Sequence, residues 1–267
     1  MALQITTEPL VEPIGLIEAK LHLRVSTTAD DALITQLIRA ARIYCENYQG
    51  RPYIARTYQM TFDDYFPGLI EPPMPPLCYV NSITYLDSDG ASQTVTATLY
   101  TVDTVSEPGR IYEAYDETWP SSVRAVPNTI AVNYVAGYAA EFTVVVETNV
   151  FTVLGRTYTN GDKVRLSNSG GVLPTGLSVD TDYYIIEVSG NTFQLSTTSG
   201  GDAVVVTASA AEKGEINYVG EVPETAKAAM KLVLGHLYEN RENTIETSLK
   251  SLPQGAEMLL IQDRMQW

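Results

Sequence analysis

Few residues in this chain could do chemistry. Histidine occurs twice, at His22 and His236, and cysteine twice, at Cys45 and Cys78. A nucleophile needs a base beside it, and a structural metal needs four ligands at close spacing. These residues, scattered through 267 positions, show neither arrangement. Cys45 falls on the apolar stripe of a helical pattern and reads as a small core residue. His22 and His236 lie in helical patterns with no acid or nucleophile motif beside them. Two carboxylate pairs, Asp63-Asp64 and Asp87/Asp89, could share acid–base work, but both stand at turn signals, where aspartate accepts backbone N–H groups. No phosphate-binding glycine loop and no nucleophile elbow occurs. The expectation is a protein that is not an enzyme, with no metal and no cofactor.

The elements around these residues begin with two helices. Pro13 to Leu23 has Pro13 in its first turn and apolar Leu16, Ile17, Leu21 and Leu23 on or near one side. Ser26, Thr27 or Thr28 then offers an N-cap, and Asp30 and Asp31 suit the positive end of a helix dipole. Leu33, Ile34, Leu37, Ile38, Ala41, Cys45 and Tyr48 follow at helical spacing until Gly50 and Pro52 close the pattern. Arg39, Arg42 and Glu46 occupy its other side, as a solvated face or a contact with a neighbouring copy. A later helix starts at Pro223, with Ala226, Ala229, Met230, Val233, Leu237 and Tyr238 as its stripe. Residues 256–267 form a short terminal helix too apolar to be left in water.

Between these lie two β-rich stretches. From Tyr53 to Tyr138 the period is two, with strands at Thr57–Phe62, Ser82–Leu86, Thr94–Tyr100 and Thr129–Val135, a turn at Asp87-Ser88-Asp89-Gly90, and a rigid connector at Pro72, Pro73, Pro75 and Pro76. Glu141 to Gly214 is poor in helix formers, and its turn signals recur at short intervals around Lys163–Leu166, Tyr183–Val188 and Thr192–Leu195. That texture predicts a second domain, a small all-β barrel or sandwich. Val132-Asn133-Tyr134-Val135 before it is echoed by Ile216-Asn217-Tyr218-Val219 after it, as if the chain left a host domain and returned on a similar strand. The domains expected are 1–140 with 215–267, and 141–214 inserted between them.

A net charge of −15 with an isoelectric point near 4.5 argues against tight binding to a phosphate backbone. No apolar run approaches the ~20 residues that span a bilayer, and the first residues lack the pattern of a signal peptide. A protein made and used inside a cell, without membrane contact, is expected.

Several motifs in fixed order add to this. Leu16, Lys20, Leu23, Arg24 and Val25 are followed by Asp30-Asp31-Ala32-Leu33-Ile34, then by Ala40-Ala41-Arg42-Ile43-Tyr44-Cys45-Glu46 and Gly50-Arg51. Val132 to Tyr138, Val222-Pro223, Tyr238-Glu239-Asn240-Arg241-Glu242 and Leu252 to Leu260 complete the series. Together they resemble the head–tail connector (adaptor) proteins of long-tailed bacteriophages, over most of 14–140 and 220–267.

The resemblance implies an α+β fold, a helical-bundle core with a small β portion, from which the inserted β domain departs. It also implies a structural virion protein of the neck, made in the bacterial cytoplasm, that forms a homo-oligomeric ring, in the limit a dodecamer, under the portal. Its partners would be the portal protein, a downstream stopper or tail-terminator protein and its own copies, with genome DNA passing through without specific binding. Met258, Leu259, Leu260, Ile261, Arg264 and Trp267 are the expected portal contacts. Arg39, Arg42, Glu239 and Arg241 are the expected inter-subunit pairs. A second reading gives the β insert a host carbohydrate, stacked on Tyr158, Tyr183, Tyr184 or Phe193.

Overall fold

The computed structural model describes residues 1–7, 12–153, 158–168, 173–178, 181–207, 217–220, 222–240 and 254–265. Within them the chain is a mixed α+β structure of four α-helices and three antiparallel sheets. It divides into two compact units, one from residues 1–7 and 55–138, the other from 12–54, 139–153 and 158–265.

In the first unit the strands are β1 (Ala2–Thr7), β2 (Arg56–Phe62), β3 (Leu69–Ile70), β4 (Leu77–Leu86), β5 (Ser92–Thr94), β6 (Tyr100–Asp103), β7 (Arg110–Glu113) and β8 (Ile130–Ala136). They form a five-stranded sheet, β1-β2-β8-β4-β5, and a three-stranded one, β3-β7-β6. The two-residue period decides which side is buried: Tyr58, Met60, Ile83, Ile130, Val132 and Tyr134 all face one core with Ile111 of the small sheet. Trp119 lies in that core, stacked on Phe66 with ring centres 4.9 Å apart. The strand expected over Thr94–Tyr100 is broken. Val95 still donates to Ile83 O, but Leu99 N bonds back to Thr96 O and turns the chain before β6. β1 was not expected, because the opening residues were read only for a leader.

One turn holds its carboxylate as turn chemistry predicts. Asp87 accepts the N–H groups of Asp89 and Ala91 while Gly90 takes φ +86°. Asp63 instead accepts the N–H of Asn128, 65 positions away. A third, Asp103, was not singled out. It accepts from the Ser106 hydroxyl, Arg110 and the backbone of Ser106 and Val105, which together hold its carboxyl well below the usual carboxylate range.

The second unit holds α1 (Leu16–Leu23), α2 (Asp31–Gln49), β9 (Ala140–Val145), β10 (Val150–Val153), β11 (Lys163–Val164), β12 (Leu166–Asn168), β13 (Tyr183–Ser189), β14 (Thr192–Ser196), β15 (Asn217–Val219), α3 (Glu224–Glu239) and α4 (Gln254–Leu260). Helix α3 packs on α1, α2 and α4. In α2 the expected stripe is buried at Ile34, Ile38, Ala41 and Cys45, and burial pushes the Cys45 thiol up to about 12, leaving it an inert core group. In α1 the inward residue is instead Ala19, while Ile17 and Leu21 are exposed.

The seven strands order as β11-β13-β14-β10-β9-β15-β12. The two end strands, β11 and β12, are separated in sequence by Arg165 alone. The chain therefore steps from one edge to the other, but β11 pairs only with β13 and β12 only with β15. Among the described residues no ladder joins the edges, and the sheet is open where a small all-β barrel or sandwich was expected. The β part as a whole exceeds the small portion the resemblance implied, since eight strands lie in the first unit alone.

Glycine gives one test of this packing. A Cβ on Gly235 would meet only the His22 ring, at 3.7 Å, whereas one on Gly109 would meet the Leu77 side chain at 2.5 Å. Gly235→Ala should raise stability by about 0.5–1 kcal/mol by removing a helix-interior glycine. Gly109→Ala should lower it by about 1–3 kcal/mol. Denaturant midpoints check both. A second test is pH. The stabilisation from Asp103 is complete above about pH 5 and is lost as pH falls through its depressed pKa. Asp103→Asn should therefore flatten the acid limb of a thermal-midpoint titration and leave the shape of the curve above pH 5 unchanged.

Candidate docking surface

The end of α2 is built around a buried cation. Arg42 is 1% exposed; its Nε donates to Glu12 Oε2 at 2.6 Å and its Nη1 to Glu46 Oε2 at 2.8 Å. Glu46 Oε1 accepts Tyr53 N–H at 2.8 Å, and the Tyr53 hydroxyl donates to Gln49 Oε1 at 2.6 Å. The two carboxylates hold the Arg42 guanidinium even more firmly protonated than usual, against a burial that opposes its charge. Burial also raises the Glu12 carboxyl, with the Arg42 contacts working the other way. The sequence pattern put Arg42 and Glu46 on a solvated or subunit-facing side. They are buried because each neutralises the other one helical turn apart, and Glu12 closes the set from 30 positions away.

The next turn of the same region seats the C-terminal segment. Gln49 Nε2 donates to Leu260 O at 3.0 Å, Met265 N–H to Gln49 O at 2.9 Å, and Arg51 Nε to Asp263 O at 2.7 Å. The Arg264 guanidinium lies 4.9 Å from the centre of the Tyr48 ring. Held this way, α4 turns Ala256 and Leu260 inward, leaves Leu259 half-buried and presents Met258, 70% exposed, while Ile261, in the single 3-10 turn that follows, is 60% exposed. The expected contact residues thus divide: Leu260 is packed on its own chain, while Met258, Ile261 and Arg264 are accessible. Arg39 and Glu239 are exposed on α2 and α3. Arg241 and Trp267 lie outside the described residues. Gln49, Arg51 and Tyr53 were missed as a seat. The one signal for them was the polar cluster at the closing glycine of α2.

Residues 13–74 match the phage gp6-like head-tail connector protein family. The segment contains α1, α2 and the whole seat, Tyr48, Gln49, Arg51 and Tyr53. No curated protein matches the chain. Three solved structures share its fold: a chain of the neck of an empty gene transfer agent particle computed with C6 symmetry, at a TM-score of 0.58 and 15% identity, one of the virion of the native particle, at 0.56 and 15%, and one of the native neck computed with C12 symmetry, at 0.52 and 14%. Each alignment covers 100% of this chain and 97% of the other.

Outside residues 13–74, the aromatic residues considered for carbohydrate are mostly core. Tyr158, Tyr183 and Phe193 are buried; Phe193 stacks on Phe151 at 5.8 Å and Tyr158 meets its edge at 5.3 Å. The Tyr183 hydroxyl accepts Ser178 N–H. Only Tyr184 of the four is partly open. Among the described residues no group of three His, Cys, Asp or Glu side chains could hold a metal, and no helix is long and apolar enough to cross a membrane. His236 serves its own helix end, where its carbonyl accepts from Asn240.

Removing the buried cation should be costly. Arg42→Met removes the guanidinium that bonds both Glu12 and Glu46 and should destabilise the chain by about 3–5 kcal/mol. The double change Arg42→Met with Glu46→Leu should recover part of that loss. Chemical denaturation of both variants measures it.

Proposed function

We propose that this chain is a head–tail connector of a virion neck that assembles as a ring under the portal and extends the DNA exit channel. The observation that carries the reading is the family match over α1 and α2, the segment that also seats the C-terminal helix. Work of this kind is done by surface complementarity, so the chain is read as a structural protein and not an enzyme. The C12 symmetry of one similar neck supports a ring of twelve copies. The net charge of −15 suits a channel through which DNA passes without sticking.

For the portal contact we assign Met258 and Ile261, with Arg264 beside the Tyr48 ring and Leu259 in partial contact. Apolar side chains held outward next to the buried Leu260 are ready to be covered by a partner. Arg39 and Glu239 are the accessible candidates for pairing with a neighbouring copy, and Arg241 and Trp267 complete the two sets by sequence alone. On the opposite side of the ring a stopper or tail-terminator protein would follow. We read residues 141–214 as a domain inserted into a core of 1–140 and 215–267. The pairing of Ala140 with Val219 supports this, since it sets the departing and returning strands side by side. Burial of three of its four candidate aromatic residues leaves the carbohydrate reading only Tyr184 as a partly open stacking face.

Mixing the purified chain with portal rings from the same genome and imaging the product tests the assignment. A collar of density in register with the portal is expected, and its absence with both proteins folded would overturn it. Replacing Met258 and Ile261 together by aspartate should weaken binding about thirtyfold or more while leaving the fold intact.

A further inference from the structure

The five-stranded sheet stops at β1, whose one neighbour is β2. Leu3 stands opposite Met60 and Ile5 opposite Tyr58. Side chains directly opposite in a sheet share a side, so Leu3 and Ile5 point the way Met60 and Tyr58 do. Those two are 1% exposed, yet Leu3 is 41% and Ile5 40% exposed. Among the described residues, the apolar side of the sheet therefore runs to an edge that is left half uncovered, beside a row of main-chain groups with no second strand.

Edge strands are ordinarily protected by lysine, proline or inward charges. Residues 2–7, Ala-Leu-Gln-Ile-Thr-Thr, contain none of these. The single irregularity, a register shift between Ile5 and Thr7, leaves Ala2 to Ile5 regular. In a chain of net charge −15, this is a seam where two copies can meet without like charges opposed. The strand also fits itself. Antiparallel pairing centred on Gln4 sets Leu3 against Ile5 of the second copy, Ile5 against its Leu3, and Gln4 against its Gln4. The two-fold axis then stands across the sheet and keeps both apolar sides on the same side. The far edge fits less well: β5 is three residues long, Ser92, Gln93 and Thr94, and offers no apolar side chain.

We propose that two copies of the free chain pair through β1, joining their five-stranded sheets into one, with Leu3 and Ile5 of both copies completing the apolar row. This goes beyond the connector reading and does not depend on it, since it is read from the free protein without a portal.

Sedimentation equilibrium of the full chain at a series of concentrations tests it, with Ile5→Lys beside the parent. The parent should show a monomer–dimer equilibrium, and Ile5→Lys should weaken it at least about tenfold, with circular dichroism and thermal midpoint showing that the variant is folded. Under oxidation, Gln4→Cys should give a covalent dimer and Thr94→Cys, on the far edge, should not. A parent monomeric at every concentration, an assembly unaffected by Ile5→Lys, or equal cross-linking at the two cysteines would each overturn the proposal.

Discussion

The second unit hangs on the way Glu46 divides its carboxylate. One oxygen meets the buried Arg42 guanidinium and the other meets the backbone of Tyr53, so one side chain ties the middle of α2 to the strand of chain that leaves it. Tyr53 continues the connection, because its carbonyl accepts Ala139 N–H and thereby fixes the point where β9 begins. A charged pair in this setting contributes little net stability compared with an apolar substitute of the same shape. What it supplies is geometry. Apolar packing alone would let α2 rotate by part of a turn. Three oriented hydrogen bonds with partners 30, 4 and 7 positions from their donors or acceptors do not.

That fixed orientation is what makes a usable surface of α4. A seven-residue helix has almost no stability by itself, since nucleation costs more than its few hydrogen bonds return. It is ordered by Gln49 and Arg51, which take three of the orphan main-chain groups at its far end: the carbonyls of Leu260 and Asp263 and the N–H of Met265. Once the helix is seated, its period decides the rest. Ala256 and Leu260, four apart, go inward, Met258 goes outward, and Ile261 is exposed in the 3-10 turn that continues the chain.

The parts of this arrangement that the sequence made legible are those governed by local rules. The stripe of α2, its closing Gly50 at φ +69°, the start of α3 at Pro223, the Asp87 turn and the β13–β14 hairpin through Gly190 follow from spacing and turn chemistry. The parts that were missed involve partners far apart in the chain. Arg42 has the residue type and position of a surface charge, and nothing near it in sequence announces Glu12. Asp30 was expected to serve the helix end, yet as the N-cap residue its side chain makes no capping hydrogen bond, and its carboxylate accepts the Tyr238 hydroxyl from 208 positions away. In the same way, nothing in residues 163–168 indicates that one short stretch supplies both edges of a sheet.

Under the proposed connector reading, the division of Arg42 from Met258 and Ile261 has a physical logic. Charges at an interface that forms between strongly acidic copies would have to be desolvated each time a contact is made, and exposed pairs return only ~0–1 kcal/mol. Using the arginine inside the chain, where its partners are always present, avoids that recurring cost. The surface then presents apolar side chains whose attraction is non-directional and survives in high salt. Specificity passes from the contact itself to the seat behind it, because apolar residues recognise a partner only as well as they are positioned. In this chain their positions are set by Gln49 and Arg51, and the residues that decide binding need not be the ones that touch.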